Sequence, residues 1–337
     1  MPRTENQKIK MLYVLEYLWK HTDENNGVSV GFIIDYLDDK GITADRRSIY
    51  RDIYALRDVY GLDIDGEQGG RFRLMSRQFD VDELQLIAQC VYGAKFISKD
   101  KAKQLIEVLC DFCSEEQEKL IKEEIYTADR VKTTNEATLR ITSRIKEAMS
   151  KRENGKVRVP TKIAFKYTSF NIGDRLTQTE RRKGSYYIVS PYQLVMNDGN
   201  MYLMGNDDDK EKMLTFRIDR MKDVKVLKEP RSGSFDAAEM ENYTKRVFNM
   251  IGGQRNRVEL RFTNDKLDTV IDRFGMGSDV TYYPKDKNHF AVITEVEISD
   301  AFYSWICGFR KKAVILNPPE VVERFQNFLK DIQNRYE

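Results

Sequence analysis

The chain has 337 residues, of which 41 % are hydrophobic and 33 % charged; this excludes a disordered chain and indicates two or three domains, because single cores rarely exceed about 250 residues. Its formal net charge of +2 is not the strongly basic balance typical of nucleic-acid-binding proteins. No segment approaches the roughly 20 apolar residues of a membrane helix, and the N-terminus lacks an apolar signal region, so we expect a cytoplasmic protein without a membrane partner.

The first part of the chain is predicted to form three helices and a hairpin. Apolar residues at helical spacing and separating glycines place the helices at about 5–20, 30–40 and 46–60. Asp45 stands where an N-cap is expected before the third helix. Residues 62–75 alternate loosely around glycines, which predicts a β-hairpin. Three helices followed by a hairpin are typical of a winged helix-turn-helix, so we assign residues 1–77 to a DNA-binding domain.

The third helix separates an apolar face from a face of long hydrogen-bond donors. Ile49, Ile53 and Leu56 share the apolar face, as expected of a recognition helix packed on two others. Arginine can bind guanine or phosphate with two hydrogen bonds, and a helix N-terminus adds partial positive charge. The alternative is a solvated face of ordinary arginines. The candidate DNA-binding residues lie on the polar face, in the first helical turn or in the hairpin: Arg46, Arg47, Ser48, Tyr50, Arg51, Tyr54 and Arg71.

Residues 78–154 are predicted to be a helical connector, which serves either as a dimerisation surface or simply as a scaffold. Ser114 followed by Gln117 has the spacing of a capping box. Cys110 and Cys113 form a lone Cys-x-x-Cys within a pattern of apolar residues at helical spacing. A structural zinc site needs about four ligands, and no second pair or nearby histidine is present, so core cysteines are favoured over a metal site or a redox switch.

From residue 155 the pattern changes to short strands. Strands at about 162–167, 185–189, 192–196, 201–204 and 214–218, with a tight turn at 197–200, predict a small β-barrel over residues 155–230. Residues 231–337 mix strands and helices and are assigned to a separate α+β domain. The fold class is therefore multidomain α+β: a winged helix-turn-helix, a helical connector, a small barrel and a C-terminal α+β domain.

The sequence offers no catalytic pattern. Its two histidines, His21 and His289, lie far apart in the chain, and it contains no nucleophile elbow, phosphate-binding glycine loop or zinc-protease motif. We therefore expect no enzymatic activity, no catalytic residues, no bound metal and no cofactor.

Four segments in order resemble the WYL-domain transcription regulators of bacteria. Residues 46–52 resemble their recognition helix, 70–74 their wing, 191–221 their WYL barrel and 305–320 their C-terminal extension. Two positions depart from the family pattern. Met201-Tyr202-Leu203 stands in place of Trp-Tyr-Leu, and neither Tyr187 nor Ile188 supplies the arginine that often precedes the proline.

The resemblance implies an Sm-like or SH3-like barrel that senses a small molecule, a nucleotide or single-stranded nucleic acid, in a homodimer. The expected function is a transcription regulator that binds double-stranded operator DNA under control of that ligand. The alternative is a nucleic-acid-binding sensor or scaffold protein that acts on single strands rather than on promoter duplex.

The candidate ligand-binding residues are the basic and tyrosine side chains of the barrel: Tyr167, Arg182, Tyr202, Arg217 and Arg220. Arg217 and Arg220 are three apart on a predicted strand and suit a phosphate-bearing ligand. Arg182 belongs to a basic cluster beside two tyrosines, and charge combined with stacking suits a nucleotide or single strand. The alternatives are an ion pair between Arg217 and Asp219, tyrosines that pack in the sheet, and a solvated basic cluster.

Overall fold

The computed structural model describes residues 9–125, 131–153, 155–172, 176–233 and 243–337; the predicted start of the first helix, residues 5–8, lies outside these ranges. The chain is a mixed α+β protein that divides into two compact units, Met1–Leu139 and Arg140–Glu337. Within the described ranges no helix is both long and apolar enough to cross a bilayer.

The three helices and the hairpin predicted near the N-terminus are present. The third helix is shorter than predicted, because its last turn, Ala55–Val59, is π-helical. The elements are helices α1 (Lys10–His21), α2 (Val30–Asp39) and α3 (Arg46–Tyr54) and strands β1 (Ile64–Asp65) and β2 (Arg73–Leu74).

Phe72 joins the hairpin to the helices. Its side chain is fully buried, and its backbone exchanges two hydrogen bonds with Val28 in the loop between α1 and α2, at 2.8 and 3.0 Å. The hairpin turns sharply at Gly66, which has a φ of +122° and whose Cβ, if it had one, would lie 2.4 Å from the Arg71 carbonyl oxygen. Glycine is therefore required at this position.

In the helical connector, two of the helices begin with a capping box. Asp80 and Glu83 form a capping box at the start of α4, and Ser114 and Gln117 form the predicted one at the start of α6. The predicted core location of Cys110 and Cys113 is confirmed, because both are buried. The helices are α4 (Val81–Gly93), α5 (Lys99–Cys110), α6 (Glu115–Ile125) and α7 (Thr138–Met149).

After most of α7, the second unit continues with a short hairpin and a curled six-stranded sheet. The sheet has the order β10-β5-β7-β8-β9, with β6 paired to the end of β5. Because β9 and β10 do not pair, the predicted barrel is an open half-barrel. The strands are β3 (Arg152–Glu153), β4 (Lys156–Val157), β5 (Thr161–Ile172), β6 (Leu176–Glu180), β7 (Tyr187–Asn197), β8 (Asn200–Asp207), β9 (Lys212–Arg217) and β10 (Met221–Pro230).

Three features of this sheet differ from the sequence-based prediction. The strands expected at 185–189 and 192–196 are one strand, β7, whose pairing shifts register just after Pro191; proline has no N–H for the ladder, so the sequence suggested a break. Strands β6 and β10 were not predicted. Arg217 ends β9, whereas Arg220 lies in a 3-10 turn, Ile218–Arg220, so the two arginines are not on one strand.

The C-terminal domain is a four-stranded antiparallel sheet in the order β12-β13-β11-β14. A helix follows β11 and another follows β13, so the chain traces the split β-α-β arrangement of ferredoxin-like folds. A final helix packs beside β14, and the core includes Phe262 and Phe302. The elements are β11 (Gln254–Thr263), α8 (Leu267–Phe274), β12 (Thr281–Asp286), β13 (His289–Ile298), α9 (Asp300–Gly308), β14 (Ala313–Asn317) and α10 (Pro319–Gln333).

Substitution of Phe72 by alanine should destabilise the three-helix unit by about 3–5 kcal/mol, since it removes a fully buried aromatic ring and leaves a cavity. The measurement is hydrogen exchange of the α1–α3 amides by mass spectrometry, which should become at least 100-fold faster for the most protected amides. Phe32→Ala is the matched control, because Phe32 is 58 % exposed. Equal protection in the two variants would contradict this account of the hairpin.

Candidate functional site

Helix α3 presents three arginines to solvent. The Asp45 carboxylate caps the helix by accepting a hydrogen bond from the Ser48 backbone N–H at 2.9 Å, and this bond lowers the pKa of Asp45. Ile49 and Ile53 are fully buried. The opposite face carries exposed side chains that form no ion pair within 4 Å in the described part of the chain: Arg46, Arg47 and Arg51.

The other α3 residues predicted to bind DNA make contacts within the unit. The Lys10 ammonium donates to the Ser48 hydroxyl and forms an ion pair with Asp52 at 2.9 Å. The Tyr50 hydroxyl accepts a hydrogen bond from the Gly69 backbone N–H at 3.1 Å. The rings of Tyr50 and Tyr54 lie 5.9 and 6.5 Å from the ring of Phe72. These residues therefore hold α3 against α1 and against the hairpin.

The hairpin adds a fourth exposed arginine. Arg71 follows Gly69 by two residues and forms no ion pair within the described ranges, whereas Arg73 binds Asp65 at 2.5 Å. Because the Tyr50 hydroxyl anchors the hairpin at Gly69, Arg71 is carried on an element docked to α3. The four exposed arginines thus belong to one helix and the hairpin packed on it.

A cavity of about 700 Å³ lies in the second unit, between the curled sheet and the segment that leads into β11. Its wall in the sheet is aromatic. Phe165 and Tyr187 stack at 5.6 Å, and Tyr167 and Phe216 meet edge to face at 5.6 Å. The Tyr167 hydroxyl accepts a hydrogen bond from the Arg217 backbone N–H at 3.0 Å, and burial raises the pKa of Tyr167. Of this cluster, Tyr167, Tyr187 and Phe216 line the cavity.

The same cavity carries an excess of positive charge. Its cationic side chains form no ion pair within 4 Å in the part of the chain that the structure describes: Arg181, Lys210, Lys212 and Arg220. The opposing carboxylate is Glu297, which accepts a hydrogen bond from the Gly253 backbone N–H at 3.1 Å. Burial, reinforced by this carboxylate, raises the pKa of Tyr243 to about 12. The arrangement suits an anion bearing an apolar or aromatic group.

Two of the five predicted ligand residues, Tyr167 and Arg220, line the cavity, and the other three lie outside its lining. Arg182 forms ion pairs with Asp207 and Asp209, and its guanidinium lies 3.8 Å from the centre of the Tyr187 ring.

The side chains of Arg217 and Tyr202 also make contacts within the second unit. Arg217 binds Asp219 through two hydrogen bonds, at 2.8 and 3.1 Å, which is the alternative considered for it from the sequence. Tyr202 lies opposite Arg217 on β8 and packs on the buried side chains of Met204 and Met250. Met201, which replaces the family tryptophan, does not line the cavity either.

Sequence reasoning missed the side of the cavity formed by later segments. Lys210 lies in the turn between β8 and β9 and Lys212 begins β9, and charged residues at such turns are ordinarily solvated. Tyr243, Gly253 and Glu297 belong to a stretch assigned to a separate domain. The adjacent Gly252 and Gly253 were the available signal, because paired glycines often mark a close approach of backbone to another group.

The WYL domain family matches residues 161–226, and the WCX domain family matches residues 254–333. No curated protein matches the sequence. Among solved structures, the chain is similar to proteasome accessory factor B/C (PafBC) of Arthrobacter aurescens, at 15 % identity and a TM-score of 0.26. The match covers 94 % of this chain but only 45 % of that one. It also found the crystal structure of a CRISPR Cas-related protein, at 13 % identity and a TM-score of 0.36, covering 98 % of this chain and 84 % of that one.

Substitution of Arg182 by alanine should destabilise the curled sheet by about 3 kcal/mol, because the Asp207 carboxylate, which is 1 % exposed, loses its charged partner. Lys183→Ala is a matched control: Lys183 is adjacent, exposed and has the same φ of 53°. The measurement is hydrogen exchange of the β7 and β8 amides. If both variants exchange like the wild-type protein, the ion pair has no structural role.

Proposed function

Because the chain carries a WYL domain followed by a WCX domain, an architecture that supports a regulatory role, we propose that it is a bacterial transcription regulator that binds operator DNA. The observation that carries this proposal is a set of four exposed arginines on α3 and its docked hairpin, none of which forms an ion pair with another described residue. Unpaired, solvent-facing guanidinium groups are the side chains that phosphates and guanine edges recruit.

In this proposal, the first unit is a winged helix-turn-helix and α3 is its recognition helix. The buried face of α3 holds the helix against α1 and α2, and Arg46, Arg47 and Arg51 enter the major groove from the opposite face. Arg71 on the wing contacts the phosphate backbone. Tyr50 and Tyr54 support the wing, and Ser48 fixes the start of the helix. Two copies in a homodimer place two such helices on two half-sites.

The half-barrel, which we assign to the Sm-like or SH3-like class, is the sensor in this proposal. Its ligand is a small anion with a planar group, such as a nucleotide or a short single strand. Arg181, Lys212 and Arg220 neutralise its phosphate, and the aromatic wall accepts its base by stacking. Ligand binding favours one arrangement of the dimer and so changes operator affinity.

The proposal includes no catalytic step. Both histidines of the chain are paired with carboxylates, His21 with Glu115 at 3.2 Å and His289 with Asp286 at 2.8 Å. Neither lies in the lining of the 700 Å³ cavity.

The DNA-binding proposal predicts that Arg47→Ala and Arg51→Ala each weaken binding to the duplex upstream of the protein's own gene. A lost base contact costs about 1–3 kcal/mol, and a lost phosphate contact reduces the slope of log affinity against log salt by about 0.9. The measurement is fluorescence anisotropy across a salt series, with a scrambled duplex and a single strand as competitors.

Lys103→Ala is the control for that experiment, because it removes one exposed positive charge from α5 and leaves α3 intact. If the two arginine variants bind like this control, α3 does not read DNA. If single strands bind while duplexes do not, the alternative function on single strands replaces the promoter-regulator proposal.

The sensor proposal predicts that a nucleotide or short oligonucleotide raises the melting temperature of the wild-type protein but not of Arg220→Ala. A ligand that binds only the folded state must stabilise it. Lys222→Ala is the matched control, since Lys222 is exposed, lies two residues further along and does not line the cavity. Operator affinity measured with and without the stabilising ligand then tests the coupling; an identical affinity in both conditions excludes it.

A further inference from the structure

A second cavity, of about 300 Å³, lies within the C-terminal domain. None of its described lining residues also lines the larger cavity. Four cationic side chains and two carboxylates line it: Lys245, Arg246, Arg255, Arg257, Asp279 and Glu295. Among the described residues the lining therefore carries four cationic groups against two carboxylates, and the cavity has room for one small group with its substituent.

Glu295 is shared between two of these guanidinium groups. It accepts a hydrogen bond from Arg255 Nε at 2.9 Å and lies 4.0 Å from Arg246 Nη1. A single carboxylate thus faces two cations and cannot neutralise both. The second carboxylate, Asp279, is exposed in the loop before β12.

Arg246 is a buried cation with incomplete compensation. Its residue is 6 % exposed, and its Nε has no hydrogen-bond partner among the described residues. Burial of a charge without full pairing is costly, and the cost falls when an anion enters the same site. The Arg246 site is therefore electrostatically favourable for a bound anion.

Arg257 offers the cavity a second guanidinium. It stands directly opposite Glu295 in the pairing of β11 with β13, yet Glu295 binds Arg255 instead. Arg257 is exposed and forms no ion pair within 4 Å in the described ranges. Its donors are thus available at the edge of the cavity, on a strand whose position the sheet determines.

We propose that this second cavity binds a phosphate group, held between the guanidinium groups of Arg246 and Arg257. Guanidinium binds tetrahedral oxyanions through pairs of parallel hydrogen bonds. The ligand is either free phosphate or a small phosphate monoester, because a cavity of about 300 Å³ has no room for a larger anion. The residues proposed to hold the phosphate differ from those proposed for the sensor cavity and for DNA binding. This proposal therefore does not depend on the proposed function.

The test is a calorimetric titration of the 337-residue protein with inorganic phosphate at constant ionic strength. We expect saturable binding, and the dissociation constant should rise at least tenfold in Arg257→Ala. Arg261→Ala is the matched control on the same strand, four residues further and outside the cavity lining, and it should bind like the wild-type protein. Arg220→Ala, in the larger cavity, should retain the site that Arg257→Ala loses.

A parallel titration with phenyl phosphate distinguishes the two sources of the anion. Tighter binding than inorganic phosphate identifies an ester as the ligand, and weaker binding identifies the free ion. The proposal is overturned if phosphate shows no saturable binding, if Arg257→Ala binds like Arg261→Ala, or if Arg220→Ala alone abolishes binding.

Discussion

One hydrogen bond, from the Arg217 backbone N–H to the Tyr167 hydroxyl, links two strands across the curled sheet. It joins the end of β9 to the middle of β5, two strands that do not pair, and so satisfies a backbone donor that an open sheet would leave to water. The curl gathers four aromatic rings into a single wall. Beside such a low-dielectric wall, the charges of Lys212 and Arg220 act more strongly on an anion than they would in bulk water.

Local patterns predicted most of the helices and strands, because helix caps and apolar periodicity depend only on residues that are close in the sequence. Asp45, Ser114 and the buried positions of α3 behave as predicted. The cavity could not be predicted in the same way, since its lining comes from β5, from the turn before β9 and from Glu297, more than a hundred residues apart, and only tertiary packing brings them together. Arg217 shows the limit at short range, because both a ligand and Asp219 are plausible partners from the sequence, and the structure pairs it with Asp219.

Net charge is a poor guide to the exposed charge of this protein, because several of its acidic residues pair with groups close to them in the fold. Residues 1–76 hold eleven basic and thirteen acidic side chains, yet Asp45 caps a helix, Asp52 binds Lys10 and Asp65 binds Arg73. Within the described ranges these pairings leave the α3 arginines without an ion pair. The same principle applies in the C-terminal domain, where Glu295 faces Arg255 and Arg246 rather than Arg257, its partner position in the strand pairing. The functional charge of a surface is thus the charge that remains after its internal pairs are formed.

Helix α3 separates the residues that fold it from the residues that it exposes. In this nine-residue helix the folding information resides in Ile49, Ile53 and the capping carboxylate, whereas Arg46, Arg47 and Arg51 contribute nothing to the core. Exposed positions of this kind tolerate substitution within about 0.5 kcal/mol. In the proposed DNA-binding role, the exposed side chains of α3 can therefore be exchanged while the helix stays folded, so that target preference and stability are set by different residues of one helix.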